Sequence, residues 1–154
     1  MLGLGHWYAV SDGDRRARAL YNRHYSSRRY RDGRNPAKLV GPGEYMLLMT
    51  VDCKAIFGWK RFDDASGEVG ILCNIFRNEG SALSSVLITE AEQLAWERWP
   101  GQRLYTYVNG AKIRSTNPGY CFLAAGWRRC GHSKGGLVIL EKLPAQAGSE
   151  RSIG

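Results

Sequence analysis

The 154-residue chain has no uninterrupted apolar run near the roughly 18–20 residues that a membrane-spanning helix needs, so no membrane helix is expected. Its N-terminus lacks a charged segment followed by a long apolar stretch, and no signal peptide is expected. The three histidines, His6, His24 and His132, show no H-x-x-x-H spacing. The four cysteines, Cys53, Cys73, Cys121 and Cys130, form no C-x-x-C pair, so the spacing supplies no zinc motif and no metal-ligand set. Cys53, Cys73 and Cys121 lie among apolar residues, which predicts buried free thiols and a reducing, cytoplasmic compartment. There is no internal repeat or low-complexity segment. Acidic side chains are in short supply: 14 Asp and Glu face 22 Lys and Arg, a formal charge of +8. That imbalance favours a polyanionic partner, nucleic acid first.

What is present suits one globular domain. Hydrophobic residues make up 44% and charged residues 23%, enough for a core at this length. The domain is expected to span residues 1–143, with a small-residue, polar tail at 144–154 expected to be disordered.

The most informative stretch runs from Glu68 to Pro100. Glu68–Phe76 is short and apolar, as a buried strand should be. Arg77-Asn78-Glu79-Gly80-Ser81-Ala82 follows as a loop. From about Ser84 to Trp99, Leu87, Ala91, Leu94 and Ala95 recur at helical spacing. A loop opening a helix leaves backbone N–H groups without intrahelical acceptors, and the helix dipole favours an anion there. Such a corner suits a phosphate or pyrophosphate, although an ordinary strand-to-helix turn has the same outline. Ser84 and Ser85 stand at the helix entry, either capping it or offering a hydroxyl to a ligand.

Upstream, residues 1–11 read equally as a first strand or a docked arm. Asp12-Gly13-Asp14 offers helix caps, and Ala17, Leu20, Tyr21, His24 and Tyr25 mark one face of an amphipathic helix. Arg28, Arg29, Arg31, Arg34 and Lys38 continue a basic series into a loop, with Tyr21, Tyr25 and Tyr30 interleaved. The block reads as a solvated surface or as a nucleic-acid face, guanidiniums on phosphates and rings free to stack. Tyr45–Val51 and Ala55–Phe62 read as a hairpin around Asp52-Cys53-Lys54. Leu104–Val108 reads as a strand. Asn117 and Pro118 start a short helix running to about Ala125, with Gly126 as its stop, and Leu137–Leu140 reads as the last strand. The order predicts an α/β (α+β) layer protein with a mixed sheet.

The order R-x-x-G-x-A at Arg77, Gly80 and Ala82 resembles the coenzyme A pyrophosphate loop of the GNAT acyltransferase superfamily. In that family the loop unit is followed by a strand, a short helix ending in an aliphatic-Gly-aromatic step, and a final strand pair. Ala125-Gly126-Trp127 stands at that step. The runs FRNEG-x-x-LSS-x-LI-x-EA, LAWERWPG, LYTYVN, K-I-R-S-T-NPGYCF and AAGWRRCG together resemble its phage-type Mom-like branch over most of residues 40–142. The resemblance implies a mostly antiparallel central sheet flanked by helices, and a transferase adding an acyl or carbamoylmethyl-type group to the exocyclic amine of adenine in phage DNA. That modification protects the DNA from restriction. An acetyl-CoA-dependent N-acetyltransferase acting on a small amine or protein is the alternative it leaves open.

On this reading Arg77, Asn78, Gly80, Ser81, Ala82, Ser84 and Asn117 hold an acetyl-CoA-related donor, while Asn117 also has a full explanation as a cap. Tyr120, His24, Tyr25 and Ser85 are the catalytic candidates, and Arg28, Arg29, Arg31, Arg34 and Lys38 the DNA contacts. Tyr120 is placed one turn into the short helix, as an acid/base group or a packed core aromatic. The family often carries a Tyr four residues before the glycine of its helix-ending step. Here that residue is Phe122, which transfers no proton. The adenine must be flipped from the duplex or offered single-stranded, with Tyr25, Tyr30, Trp59 and Tyr120 as stacking candidates. The resemblance also brings an iron-dependent mechanism into view.

Overall fold

The structure, a computed structural model, describes residues 5–22, 43–61, 67–109 and 119–144. The element order is β1 Trp7–Val10, α1 Arg15–Asn22, β2 Glu44–Thr50, β3 Ala55–Arg61, β4 Ile71–Asn78, α2 Ser84–Arg98, β5 Leu104–Val108, α3 Tyr120–Ala124, β6 Arg128–His132 and β7 Val138–Lys142. The strands form one seven-stranded sheet in the order β1-β2-β3-β4-β5-β7-β6. Every neighbouring pair is antiparallel except β4 and β5. The expected mixed, mostly antiparallel sheet with flanking helices is therefore what forms.

Helices α2 and α3 cover one face. Trp7, Phe57, Trp59, Ile71, Leu104 and Leu140 pack there against Leu87, Ala91, Leu94 and Phe122. The indoles of Trp7 and Trp59 donate to the carbonyls of Leu87 (2.8 Å) and Ala91 (2.9 Å), so two buried donors are satisfied while pinning α2 to the sheet. Trp59 is fully buried in this role, which removes it as a base-stacking residue. The other face carries α1, whose Ala17, Leu20 and Tyr21 meet Leu47, Met49, Ile56 and Ile75. Asp14 caps α1, its Oδ1 accepting from the N–H of Arg16 (2.9 Å) and Ala17 (3.2 Å).

Several expected boundaries move. The central strand starts at Ile71, and its far end takes in Arg77 and Asn78. Residues 7–10 form a strand, and β6 is an additional one. The last helix begins at Tyr120 behind a Gly119 cap, later than the start expected at Pro118. Gly119 holds φ +75, and a Cβ there would lie 2.6 Å from Leu140 Cδ1, so only glycine lets the chain enter α3 this close to the sheet. Cys73 is buried and Cys53 and Cys121 half-buried, all free, while Cys130 is exposed. Burial pushes the Cys73 and Cys121 thiols up, so both stay protonated and inert near neutrality.

Glu141 ties β7 to both neighbours. Its oxygens accept from Arg103 Nε at 2.7 Å and Arg128 Nε at 2.8 Å. Burial opposes its charge, and the two guanidiniums outweigh burial, leaving its carboxyl below the usual range. A depressed carboxyl adds stability above its unfolded value and loses it as pH falls through the folded one. Glu141→Gln is therefore expected to cost about 1–3 kcal/mol at neutral pH. In urea melts the difference from wild type should shrink as pH drops below about 4.

Candidate functional site

One end of the sheet brings the β4–α2 loop and the Tyr120 end of α3 to the same edge. Asn78 at the end of β4 pairs with Ala55 at the start of β3, and Trp7 pairs with Thr50 at the end of β2. Because β5 runs parallel to β4, Val108 ends at this side too. Val138 and His132 follow through their pairings. The β4–α2 loop, the β2–β3 turn, the start of α3 and the β6–β7 hairpin thus share one edge.

Asn78 builds the loop from within. Its Nδ2 donates to the Ala82 carbonyl (2.7 Å) and to Ser84 Oγ (3.0 Å), and its Oδ1 accepts from the Gly80 N–H (2.9 Å). The Glu79 N–H bonds the Lys54 carbonyl at 2.7 Å, tying the loop to β3. Asn78 is therefore an organiser of the loop, its amide spent on the protein. Gly80 is confined by the β2–β3 turn: a Cβ would meet Lys54 Cβ at 3.3 Å and Asp52 Oδ2 at 3.5 Å.

Leu83, with no side-chain cap, occupies the α2 N-cap, so Ser84 and Ser85 are its first two helical residues. Neither serine caps the helix. With Gly80 satisfied, the N–H groups of Ser81, Ala82, Ser84 and Ser85 have no acceptor among the described residues. Exposed apolar side chains surround them, Leu83 at 68% and Val51 at 83%. The cleft beside the loop measures about 460 Å³ and is lined by His6, Thr50, Asp52, Gly80, Ser81 and Ala82 among others.

Two features limit what this cleft accepts. Arg77 pairs with Ile56, a residue of the α1-side core, so its side chain leaves the sheet away from α2. Its Nε donates to Glu79 Oε2 at 2.7 Å. The expected direct charge from Arg77 is absent from the cleft wall. The opposite wall carries Asp52, whose carboxyl is held below the usual range by the Thr50 hydroxyl and the Lys54 N–H. An anion is accepted only on the α2 side, at the bare amides. That donor set of backbone N–H groups at a helix start fits a phosphate and needs no side-chain cation.

The sequence did not single out Asn74 or His6. Between Gly58 and Trp59 the β3–β4 register jumps from Ile75 to Cys73, so Asn74 is a bulge residue. The parallel β4–β5 pairing covers Ile71–Cys73 and Leu104–Thr106, and the strands part beyond it. Asn74 stands at that fork with Oδ1 buried and unpartnered among the described residues. A polar residue inside an apolar strand was the available signal. His6 borders the cleft with Nδ1 3.0 Å from Glu90 Oε1 of α2.

Tyr120 is the first residue of α3 and 63% exposed, so it is not a core aromatic. Phe122 fills the core instead, its ring 4.9 Å from Trp127 and 5.9 Å from Phe76. His24, Tyr25, Tyr30, Arg28, Arg29, Arg31, Arg34, Lys38 and Asn117 lie outside the described residues, as does nearly all of the 144–154 tail. No group of three or more His, Cys, Asp or Glu side chains converges among the described residues. No helix there is long and apolar enough to cross a membrane. No protein-family model matches the chain, and no curated protein matches it in sequence.

Proposed function

We propose that the chain is a GNAT-like transferase of the Mom-like kind, seating an acyl-CoA-type donor at the β4–α2 loop and modifying the exocyclic amine of adenine in DNA. The observation that carries this reading is the set of unsatisfied amides of Ser81, Ala82, Ser84 and Ser85, in the loop and first turn that follow a strand bulged against β3 and parting from its parallel neighbour β5. The element order supports it as well: strand, loop, helix, strand, short helix ending in Ala125-Gly126-Trp127, then the β6–β7 pair. The charge of +8 supports a nucleic-acid substrate over a small amine.

In this reading an N–C bond forms at the adenine amine and the donor's bond to its leaving group breaks. The amine gives up a proton and the leaving group takes one. Tyr120 is assigned the exchange of that proton; its exposure at the start of α3 and the burial of Phe122 in the core support the choice. The loop amides bind and orient the donor, and Asn78 keeps them in position.

The test is expression in a bacterium followed by mass analysis of nucleosides from digested DNA. A shifted adenine nucleoside is expected, and Tyr120→Phe should reduce it by about 10²-fold or more. An unmodified adenosine pool with soluble, folded protein contradicts the reading.

A further inference from the structure

Strand β6 is an outer strand of the sheet and carries Arg128-Arg129-Cys130-Gly131-His132, with Lys134 at the tip of the hairpin that follows. Residues 128–134 contain no acidic side chain. Arg129, His132 and Lys134 are exposed, and their side chains have no hydrogen bond or ion pair among the described residues. The hairpin holding Lys134 is braced: the Ser133 N–H bonds the Leu137 carbonyl (2.8 Å), and Ser133 Oγ accepts from the Leu137 N–H (3.0 Å).

The register sorts these cations between the two faces. Arg128 lies opposite Glu141 and bonds it, on the side away from α3. Arg129 lies opposite Leu140 and His132 opposite Val138, both partners belonging to the core beneath α2 and α3. The jump in register between Arg129 and Gly131 puts both residues on this one face. Helix α3 runs along β7, with Gly119 over Leu140 and Val108, and the Ala125 carbonyl accepting from Lys142 Nζ at 2.8 Å. Arg129 and His132 therefore flank α3 on its outer side, at the sheet end where Tyr120 is exposed. Basic residues on an outer strand also discourage edge pairing. That role requires neither a single sign of charge nor concentration on the face of Tyr120.

We propose that Arg129, His132 and Lys134 form a contact strip for a nucleic-acid phosphate backbone, laying the strand alongside α3 so that its bases reach Tyr120. The choice of nucleic acid rests on the function proposed above. In the sequence the strip is distinct from the basic block at residues 28–38, which lies outside the described residues.

A labelled mixed-sequence DNA duplex and the matching single strand, titrated with the full chain over a salt series, test this. Each lost phosphate contact lowers the slope of log affinity against log salt by about 0.9 on duplex and about 0.7 on single strand. Arg129→Ala with Lys134→Ala should cut the duplex slope by about 2 and weaken binding on the order of 50-fold at 0.1 M salt. Arg129→Lys with Lys134→Arg should retain both, and Arg128→Ala should leave the slope unchanged. Melting temperatures of the Arg129 and Lys134 variants should match wild type. A wild-type slope in the double alanine variant overturns the strip even where adenine is modified. A reduced slope upholds it even where no modified nucleoside appears. No DNA binding by the wild-type chain overturns it, as does tighter binding of polyglutamate that is lost in the same variant.

Discussion

Glu92→Ala is expected to destabilise the protein by about 3–5 kcal/mol, because it strands a buried cation. Glu92 is only 1% exposed, and its Oε1 accepts from Lys142 Nζ at 2.9 Å while Oε2 accepts from the Trp127 indole at 2.7 Å. Lys142 also donates to the Ala125 carbonyl. The three contacts join α2, the end of α3 and β7 at one point. At about 2–4 °C per kcal/mol, the melting temperature should fall on the order of 10 °C. Replacing both partners, Glu92→Met with Lys142→Met, should recover much of the loss, since no unpaired charge then remains buried. A single variant melting within a degree or two of wild type would show that the pair is not held as described.

Ser81→Asp is expected to weaken donor binding by roughly 30-fold or more while leaving the fold intact. Ser81 is exposed and its side chain has no partner among the described residues, so the substitution disturbs no packing. A new carboxylate about 5 Å from a bound phosphate costs about 2–3 kcal/mol after solvent screening, a loss of roughly 30-fold or more. Calorimetric titration with coenzyme A reads this directly, and Ser81→Ala is the control expected to bind as wild type. Equal affinity of Ser81→Asp and wild type would move the donor elsewhere.

The sequence disclosed the long elements and hid those fixed by tertiary contacts. Helix α2 was legible because Leu87, Ala91, Leu94 and Ala95 face one core. Strand β6 was not, because Arg128, Arg129, Gly131 and His132 carry no apolar alternation, and the strand exists through its backbone pairing with β7. The short helix began later than its Asn-Pro signal suggested, since Gly119's approach to Leu140 fixes where the chain can turn. At the site, the position of the loop was readable from small residues between a strand and a helix. The direction of Arg77 was not, because the Asn74 bulge shifts the alternation of β4. The inward turn of the Asn78 amide likewise depends on three-dimensional partners that no spacing reveals.

The seat of the donor is tested most directly by backbone amide resonances during titration with coenzyme A. The largest shifts are expected on Ser81, Ala82, Ser84 and Ser85, the amides left bare at the start of α2, and they should saturate together. Shifts confined to another part of the sheet, or unmoved resonances at these four positions while coenzyme A binds, would contradict it.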